Sequence, residues 1–254
     1  EAGQEVAIIA VIDSPDQAMV GGRILLRGET LIGSLGDPAL DEGAGALARA
    51  GIGGDPGAGT GLHPLPLGGG REATVYLELH RPPSEMVIVG AGHLARPLCT
   101  LGDLLGLEVT ILDDRPEFAT RDRFPEAREV KRIDFSEPFQ DVKLHPWTHV
   151  ILVTRGHRYD YECLRHVLKS EPLPSYVGMI GSRRRVRATF EALLEEGIPR
   201  DKLEQVRAPI GLDIGAETPA EIAVCVAAEI VEGWHGGSCR PMREVERILE
   251  RFSS

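Results

Sequence analysis

Residues 86–95 read MVIVGAGHLA, and this stretch decides the fold of the larger part of the chain. Its apolar start is typical of a buried strand, and the glycines then follow the pattern GxGxxA at a turn into a helix. In that pattern Gly90 permits the tight turn, Gly92 lets a ligand approach the backbone, and Ala95 allows close packing of helix on sheet. The stretch predicts a Rossmann-type domain whose helix N-terminus offers free N–H groups to an anion.

Downstream of this turn, short apolar strands alternate with helices, which predicts a doubly wound, parallel α/β sheet. The strands are predicted at 86–90, 108–113, 127–131, 149–154 and 176–180. The helices are predicted at 94–105, 159–169, 183–196 and 219–234. Asp113 ends the second of these strands, where an acidic residue binds the ribose 2′-hydroxyl of a dinucleotide.

Upstream of the turn, residues 1–80 predict a smaller, mainly β N-terminal domain. Its elements are four strands at 5–12, 22–27, 30–33 and 72–79 and one weak helix at 39–50. Residues 51–70 contain nine glycines and three prolines, so we expect a mobile loop outside the core. Residues 81–83 read as a linker.

The remaining boundaries place the Rossmann-type domain at 84–237 and a C-terminal amphipathic helix at 238–254. Helical spacing puts a set of apolar residues on one face of this helix: Met242, Val245, Ile248, Leu249 and Phe252. We expect this face to be buried against the domain or a partner chain.

A second polar motif, TRGHRYD at 154–160, follows the fourth strand of the larger domain. Ligands of open parallel sheets bind beyond the carboxyl ends of the strands, so this loop is predicted to face the same crevice as the glycine turn. Arg155 can hold a phosphate or carboxylate with two hydrogen bonds, and His157 can move a proton. The alternative is that His157 only caps the helix or pairs with Asp160.

A third motif, GSRRR at 181–185, follows the fifth strand. Ser182 is a good N-cap for the next helix. Arginines in a first helical turn oppose the helix dipole, which suggests an anion to bind. The alternative is a solvated basic face that pairs with acidic residues of the same helix, namely Glu191, Glu195 or Glu196.

A fourth motif, GLDIGAETPAE at 211–221, contains a capping box formed by Thr218 and Glu221. Its preceding loop is not needed for a cap and can border the crevice, with Asp213 and Glu217 as polar groups. Glu217 is open to a second reading as a purely structural carboxylate near a helix N-terminus. The candidate ligand-binding residues of the four motifs are Gly90, Gly92, His93, Asp113, Arg155, Gly156, His157, Gly181, Ser182, Arg183, Asp213 and Glu217.

Composition excludes several function classes. A net charge of -11 disfavours non-specific binding to nucleic acid or to an anionic membrane. No apolar run reaches the roughly 18 residues of a transmembrane helix, and the first residues do not resemble a secretory signal. The four cysteines lack CxxC spacing, so we expect no zinc motif and a reducing, cytoplasmic setting.

Together, the four motifs resemble the XdhC/CoxI family over residues 85–235, through GAGHLARPL, DDRPEFA, TRGHRYD, YVGMIGSRRR and GLDIGAETPAEIAVCVAAEIV. The first 80 residues resemble the N-terminal domain of that family more faintly, through residues 21–23 and 33–35. Members of this family are maturation factors (accessory proteins) of molybdenum hydroxylases such as xanthine dehydrogenase.

The resemblance implies a chaperone that binds molybdenum cofactor, rather than an enzyme that turns over a substrate. It also implies partners: a cysteine desulfurase that supplies a sulfido ligand, and the large subunit of a molybdenum hydroxylase that receives the cofactor. A homodimer is expected as well. Many family members carry a Gly-Gly-Cys segment after the Gly-Ser-Leu stretch, and this chain departs from that pattern with Ala39 in place of the cysteine.

Two other functions remain open from the sequence. The glycine turn and Asp113 also suit an oxidoreductase that uses NAD(H), with His93 and His157 as the candidate acid–base groups. The amphipathic tail and acidic surface suit an interaction scaffold whose nucleotide site is vestigial.

Overall fold

A computed structural model describes residues 5–53, 55–80 and 82–246. The chain forms two compact units, Glu1–Pro82 and Pro83–Ser254. In the described residues, no helix has both the length and the apolar character needed to cross a membrane.

The first unit contains one antiparallel sheet and one long helix. Its strands are β1 (Val6–Asp13), β2 (Arg23–Arg27), β3 (Thr30–Ser34), β4 (Gly61–Leu67) and β5 (Arg71–His80), and its helix is α1 (Pro38–Ile52). The sheet order is β3-β2-β1-β5-β4. The predicted hairpin is confirmed, because β2 and β3 pair with Arg27 opposite Thr30.

The helix α1 forms because its start is capped and one of its faces is apolar. Asp37 accepts hydrogen bonds from the amides of Ala39 and Leu40, at 2.9 and 3.0 Å. Leu40 and Ala44 then bury against the inner face of the sheet. Ala39 therefore sits exposed in the first turn of a capped helix.

The prediction of a mobile loop at 51–70 is wrong. A short 3-10 helix, Pro56–Ala58, precedes the strand β4 in this stretch. The prolines at 64 and 66 argue against a central strand because proline has no N–H to donate. They are tolerated here because β4 is the outermost strand of its sheet, and its last residue, Leu67, is buried in the core.

The second unit alternates strands and helices. The strands are β6 (Glu85–Val89), β7 (Glu108–Asp113), β8 (Glu129–Arg132), β9 (Thr148–Leu152) and β10 (Tyr176–Met179). The helices are α2 (Ala95–Leu104), α3 (His157–Lys169), α4 (Arg183–Glu195), α5 (Arg200–Glu204), α6 (Pro219–His235) and α7 (Met242–Glu246). The sequence did not predict the short helix α5.

All strands of this sheet are parallel, in the order β10-β9-β6-β7-β8, which confirms the Rossmann-type α/β fold. Successive residues of β6 serve opposite faces of the sheet: Ile88 packs with residues of α2 and α6, whereas Val87 and Val89 pack with residues of α3 and α4. Both faces are therefore covered, and the carboxyl ends of the strands meet at one edge.

The described residues include only the first part of the predicted C-terminal amphipathic helix at 238–254. Helix α7 begins at Met242, and the exposed fractions of Met242 and Val245 are 65% and 50%, so neither is buried against the domain. Burial of this face against a partner chain stays a prediction. The other members of the predicted face, Ile248, Leu249 and Phe252, lie outside the described residues.

Candidate functional site

The turn after β6 depends on the absence of a side chain at Gly90. Its φ is +107°, and a Cβ added there would lie 2.6 Å from the carbonyl oxygen of Val153. The Gly90 amide also donates to the Leu112 carbonyl at 2.7 Å. Gly90 is thus fitted between the ends of β7 and β9, and the tight turn expected from the sequence is confirmed.

Gly92 has the opposite surroundings. A Cβ added at Gly92 would meet no atom within 4 Å, so the space beside its backbone is open. The N-cap position of α2, Leu94, has no side-chain cap, and among the described residues the amides of Gly92 and His93 have no acceptor. His93 is exposed. The segment offers free N–H donors to an anion, as a helix N-terminus does.

Asp113 is buried and is fully engaged with its own chain. Its Oδ2 accepts from the Ala91 amide at 2.6 Å and from Arg115 Nη2 at 2.8 Å. Its Oδ1 accepts from the amide and the Nε of Arg115, at 3.0 and 2.9 Å. A carboxylate offers about four acceptor positions, so none is left for a ribose hydroxyl. The ribose role of Asp113 stays a prediction, and the structure gives the residue a different role.

The contacts of Asp113 also set its protonation. Burial alone would raise the pKa of Asp113, but the hydrogen bonds from the Arg115 side chain and from the two amides outweigh it and lower the pKa to about 2. Asp113 is therefore a fixed negative charge that ties the glycine turn to the end of β7. Arg115 lies only two residues after Asp113, and this short spacing is the feature of the sequence that could have indicated the pairing.

Arg155 lies beside the same strand end, and its charge is already paired. Its Nη1 and Nη2 donate to the two carboxylate oxygens of Asp114 at 2.6 and 2.7 Å. Nη2 also donates to the Tyr159 hydroxyl at 2.7 Å, and the guanidinium lies 4.2 Å from the centre of that ring. The Asp114 bond raises the pKa of Arg155 further. An anionic ligand must compete with Asp114 for this guanidinium.

A buried ion pair that the sequence did not predict joins the second and third motifs. Asp160 is fully buried, and it accepts from the Thr154 hydroxyl at 2.6 Å and from Arg185 Nε at 2.6 Å. Arg185 Nη2 also donates to the Thr154 carbonyl at 3.1 Å. Burial raises the pKa of Asp160, although the bonds from Thr154 and Arg185 oppose that shift. The hydrogen bonds to Asp160 therefore come from Thr154 and Arg185, whereas His157 is exposed and acts on the pKa of Asp160 only electrostatically, by lowering it.

The other arginines of the third motif are exposed. Ser182 caps α4 as predicted, because its hydroxyl accepts from the Arg185 amide at 3.3 Å. Within the described residues, the side chains of Arg183 and Arg184 have no acidic partner. Glu191 pairs instead with Arg187, at 2.7 Å, which lies outside the motif, so the structure does not show the alternative of pairing along the helix for Arg183 or Arg184.

The fourth motif forms the predicted capping box, in which Glu221 Oε2 accepts from the amides of Thr218 and Glu217 at 2.9 and 2.8 Å. The side chains of Asp213 and Glu217 are exposed. The Ile210 amide donates to the Met179 carbonyl at 3.1 Å, which places the start of this loop at the carboxyl end of β10.

The four motifs therefore lie at one edge of the sheet, and hydrogen bonds from Arg185 link the second motif to the third. Gly156 and Gly181 belong to the loops that precede α3 and α4. No group of three or more metal-ligating side chains occurs in the parts of the chain that the structure describes.

Comparison with known proteins identifies a family for this site. Residues 86–230 match the family model described as the XdhC Rossmann domain. A crystal structure described as a xanthine dehydrogenase from Bacillus halodurans superimposes with a TM-score of 0.56 over 93% of each chain, at 18% identity, which shows a shared fold.

Two curated relatives align with about two thirds of the chain. YqeB, an uncharacterized protein of Escherichia coli (strain K12), is 29% identical over 164 residues, which cover 64% of this chain and 30% of YqeB. A probable xanthine dehydrogenase subunit of Bacillus subtilis (strain 168) is 27% identical over 158 residues, which cover 62% of this chain and 45% of that protein. The chain thus spans less than half the length of either relative.

Proposed function

Because the chain belongs to the XdhC family, we propose that it binds molybdenum cofactor as cargo and delivers it to a molybdenum hydroxylase. The names of the Bacillus subtilis relative and the Bacillus halodurans structure support a client of the xanthine dehydrogenase kind. In this role the chain is an accessory protein and chaperone, not a catalyst of turnover.

The observation that carries this proposal is the open, donor-rich surface beside Gly92. The cofactor is a pterin with a negatively charged phosphate and a negatively charged metal–dithiolene group. The free amides of Gly92 and His93 offer hydrogen bonds to one such group. The exposed guanidiniums of Arg183 and Arg184 offer positive charge at the same edge of the sheet. The metal is held by the pterin itself, so this fit requires no metal-ligating side chains.

The chain's own part in delivery is to bind, to orient and to release. The ion pairs of Asp113 with Arg115 and Asp160 with Arg185 hold the loops in place before the cargo arrives. Arg155, held by Asp114 in the free protein, can exchange that carboxylate for an anion of the cargo. Partners that accompany this role are a cysteine desulfurase, the large subunit of the hydroxylase and a second copy of this chain, all in the cytoplasm.

Binding can be tested with the full chain and cofactor released from a purified molybdenum hydroxylase. We expect the cofactor to elute with the protein from a size-exclusion column. The double variant Arg183→Gln/Arg184→Gln should bind the cofactor roughly thirtyfold more weakly, since each of the two lost charge-assisted contacts costs about 1 kcal/mol or more. Arg187→Gln, on the same helix but paired with Glu191, is the matched control. If the wild-type chain retained no cofactor, the proposal would be refuted.

NAD(H) is the second candidate ligand, and the strand–turn–helix at Gly90 favours it. The saturated carboxylate of Asp113 weighs against it, because a ribose would have to displace Arg115 or the Ala91 amide. A parallel titration with NAD and NADH decides between the two: binding of NADH without retention of the cofactor would favour an oxidoreductase.

A further inference from the structure

A pocket with no assigned role opens at the amino ends of β9 and β10, beside the last turns of α6. It has a volume of about 440 Å³, and His149 and Tyr176, which line it, lie opposite each other in the register of the two strands. Pockets for small molecules span roughly 300–1,000 Å³, so the size suits a small organic ligand. The four motifs lie at the carboxyl ends of the strands, so this amino-end pocket is separate from the proposed cargo site.

One wall of the amino-end pocket is apolar and is fixed by hydrogen bonds. Trp234 Nε1 donates to His149 Nε2 at 2.9 Å. Because an indole can only donate, His149 carries its proton on Nδ1, which donates to the Glu85 carbonyl at 3.2 Å. Burial lowers the pKa of His149, so its ring is neutral at neutral pH. Ile230 continues this wall, and a Cβ added at Gly233 would meet no atom within 4 Å, so the space in front of it is open.

Glu229 brings a carboxylate to the pocket, and only one of its two oxygens is used. Its Oε2 accepts from the Gly211 amide at 3.0 Å and from the Tyr176 hydroxyl. Burial, and next to it the bond to Glu229, raises the pKa of Tyr176, so this hydroxyl remains a donor. In the described parts of the chain, no donor reaches Glu229 Oε1. A carboxylate that is held in this way keeps one oxygen for the cationic group of a ligand.

Arg207 supplies the opposite charge. Its backbone is fixed beside β10, because its amide donates to the Val177 carbonyl and its carbonyl accepts from the Met179 amide, both at 2.9 Å. The side chain is exposed, and within the described ranges its guanidinium has no hydrogen-bonded or ion-paired partner, Glu229 included. The pocket is therefore lined by a positive and a negative group that do not neutralise each other.

Two further polar residues of the lining are engaged within the chain. Glu204 Oε1 accepts from Arg200 Nε at 3.0 Å, so its charge is already paired. The Ser175 hydroxyl donates to the Thr148 carbonyl at 3.1 Å. The charges left for a ligand are thus one carboxylate oxygen and one guanidinium. A ligand that matches both carries one positive and one negative group and is neutral overall.

We propose that the amino-end pocket binds a zwitterion, namely a free α-amino acid with an apolar side chain. The ammonium group pairs with Glu229 and the carboxylate with Arg207, whose guanidinium can hold it through two hydrogen bonds. The side chain of the amino acid lies against the wall formed by Ile230 and Trp234. This inference does not rest on the proposed function, because the pocket and the cargo site lie at opposite ends of the strands.

The test is calorimetric titration of the full chain with L-leucine, L-methionine and L-phenylalanine. Each amino acid is compared with its N-acetyl form, which lacks the ammonium group, and with its amide, which lacks the carboxylate. We expect at least one amino acid to bind at millimolar concentration or below. Both of its derivatives should bind roughly tenfold more weakly, because each has lost one charge-assisted contact.

Variants of the two charged residues locate the site. Arg207→Gln should bind the amino acid roughly tenfold more weakly but its amide as the wild type does, because the amide has no carboxylate to hold. Glu229→Gln should likewise lose affinity for the amino acid and not for the N-acetyl form. Glu229 also holds Tyr176, so if that variant fails to fold, the exposed Arg207 still decides the test. Arg187→Gln, an exposed arginine of α4 outside the pocket, is the matched control and should bind as the wild type does.

Three results would overturn the inference. In the first, no amino acid binds at millimolar concentration. In the second, the amide or the N-acetyl form binds as tightly as the amino acid itself, which would indicate a site for a single charge. In the third, Arg207→Gln binds the amino acid as the Arg187→Gln control does. Retention of the cofactor is a separate measurement, so failure of this inference and failure of the proposed function are distinguishable.

Discussion

The guanidinium of Arg155 is bound by the carboxylate of Asp114 through two parallel hydrogen bonds, at 2.6 and 2.7 Å. The pair joins the loop after β9 to the loop after β7, at the edge of the sheet where the four motifs lie. Arg155 is the arginine that the sequence most clearly predicts to bind an anion. It is therefore already bound by a carboxylate of its own chain.

Removing the competing carboxylate should strengthen cargo binding. In Asp114→Asn the guanidinium of Arg155 is released, and we expect cofactor affinity to rise by up to roughly tenfold, whereas Arg155→Gln should lower it by a similar factor. The affinities are measured by titrating each single variant and the double variant with the cofactor. Equal affinity in all of them would mean that the pair only holds the loops together.

The buried pair of Asp160 and Arg185 should contribute strongly to folding. In Arg185→Gln the Asp160 carboxylate loses its charged partner inside the protein, and we expect the free energy of unfolding to fall by about 3–5 kcal/mol. Arg187→Gln breaks only an exposed pair on the same helix and should cost about 0.5 kcal/mol or less. Urea unfolding gives both values, and a similar cost for the two variants would contradict the role of Asp160.

Asp113 should make the free energy of unfolding depend on pH in the acidic range. Its pKa is about 2 in the folded protein against an ordinary value of 3.8. A lowered pKa contributes stability that is complete above pH 4 and is lost as the pH falls towards 2. At about 1.4 kcal/mol per unit, the contribution is about 2 kcal/mol.

The measurement for Asp113 is urea unfolding at several pH values between 2 and 5. Other carboxylates titrate in this range as well, so the quantity of interest is the difference between the wild type and Asp113→Asn. That difference should shrink towards pH 2. A constant difference across the range would show that Asp113 is not held in its charged form.

Two glycines of the first motif should respond oppositely to alanine. Gly90→Ala forces a Cβ to 2.6 Å from the Val153 carbonyl oxygen at a positive φ, so we expect a loss of about 2 kcal/mol or more in stability. Gly92→Ala meets no neighbour, so stability should change by about 1 kcal/mol at most. The added methyl group should instead reduce cofactor retention, and unchanged retention would argue against a ligand at Gly92.

Thiol labelling should find one reactive cysteine in the native protein. Cys239 is exposed, whereas Cys99, Cys163 and Cys225 are buried. Burial, and next to it Glu126, raises the pKa of Cys99 to about 11, and burial likewise raises that of Cys163. We expect one fast thiol with Ellman's reagent, none in Cys239→Ser, and all four cysteines of the chain in denaturant.

The sequence predicts the parallel sheet well because each feature that indicates it lies within a few consecutive residues. The apolar run before Gly90 matches a strand that is buried on both faces, and the glycine pattern matches a turn that leaves no room for a side chain. The capping box of Thr218 and Glu221 is also contained in four residues, and it is present as predicted.

The ion pairs of the site could not be predicted in the same way. Asp160 and Arg185 lie on different helices, so no spacing in the sequence connects them. Arg155 and Asp114 are also distant in sequence. They meet only because the carboxyl ends of β7 and β9 lie on the same side of the parallel sheet. The error at 51–70 has a related cause, since composition cannot show that a strand with two prolines lies at the edge of its sheet.

The position of β4 has a consequence for self-association. An outermost strand normally presents unpaired N–H and C=O groups that another chain can join to extend the sheet. Pro64 and Pro66 occupy alternate positions of β4, and neither has an N–H that could pair with an added strand. We expect this edge to resist strand-by-strand aggregation, which protects a small β domain that would otherwise expose a pairing template.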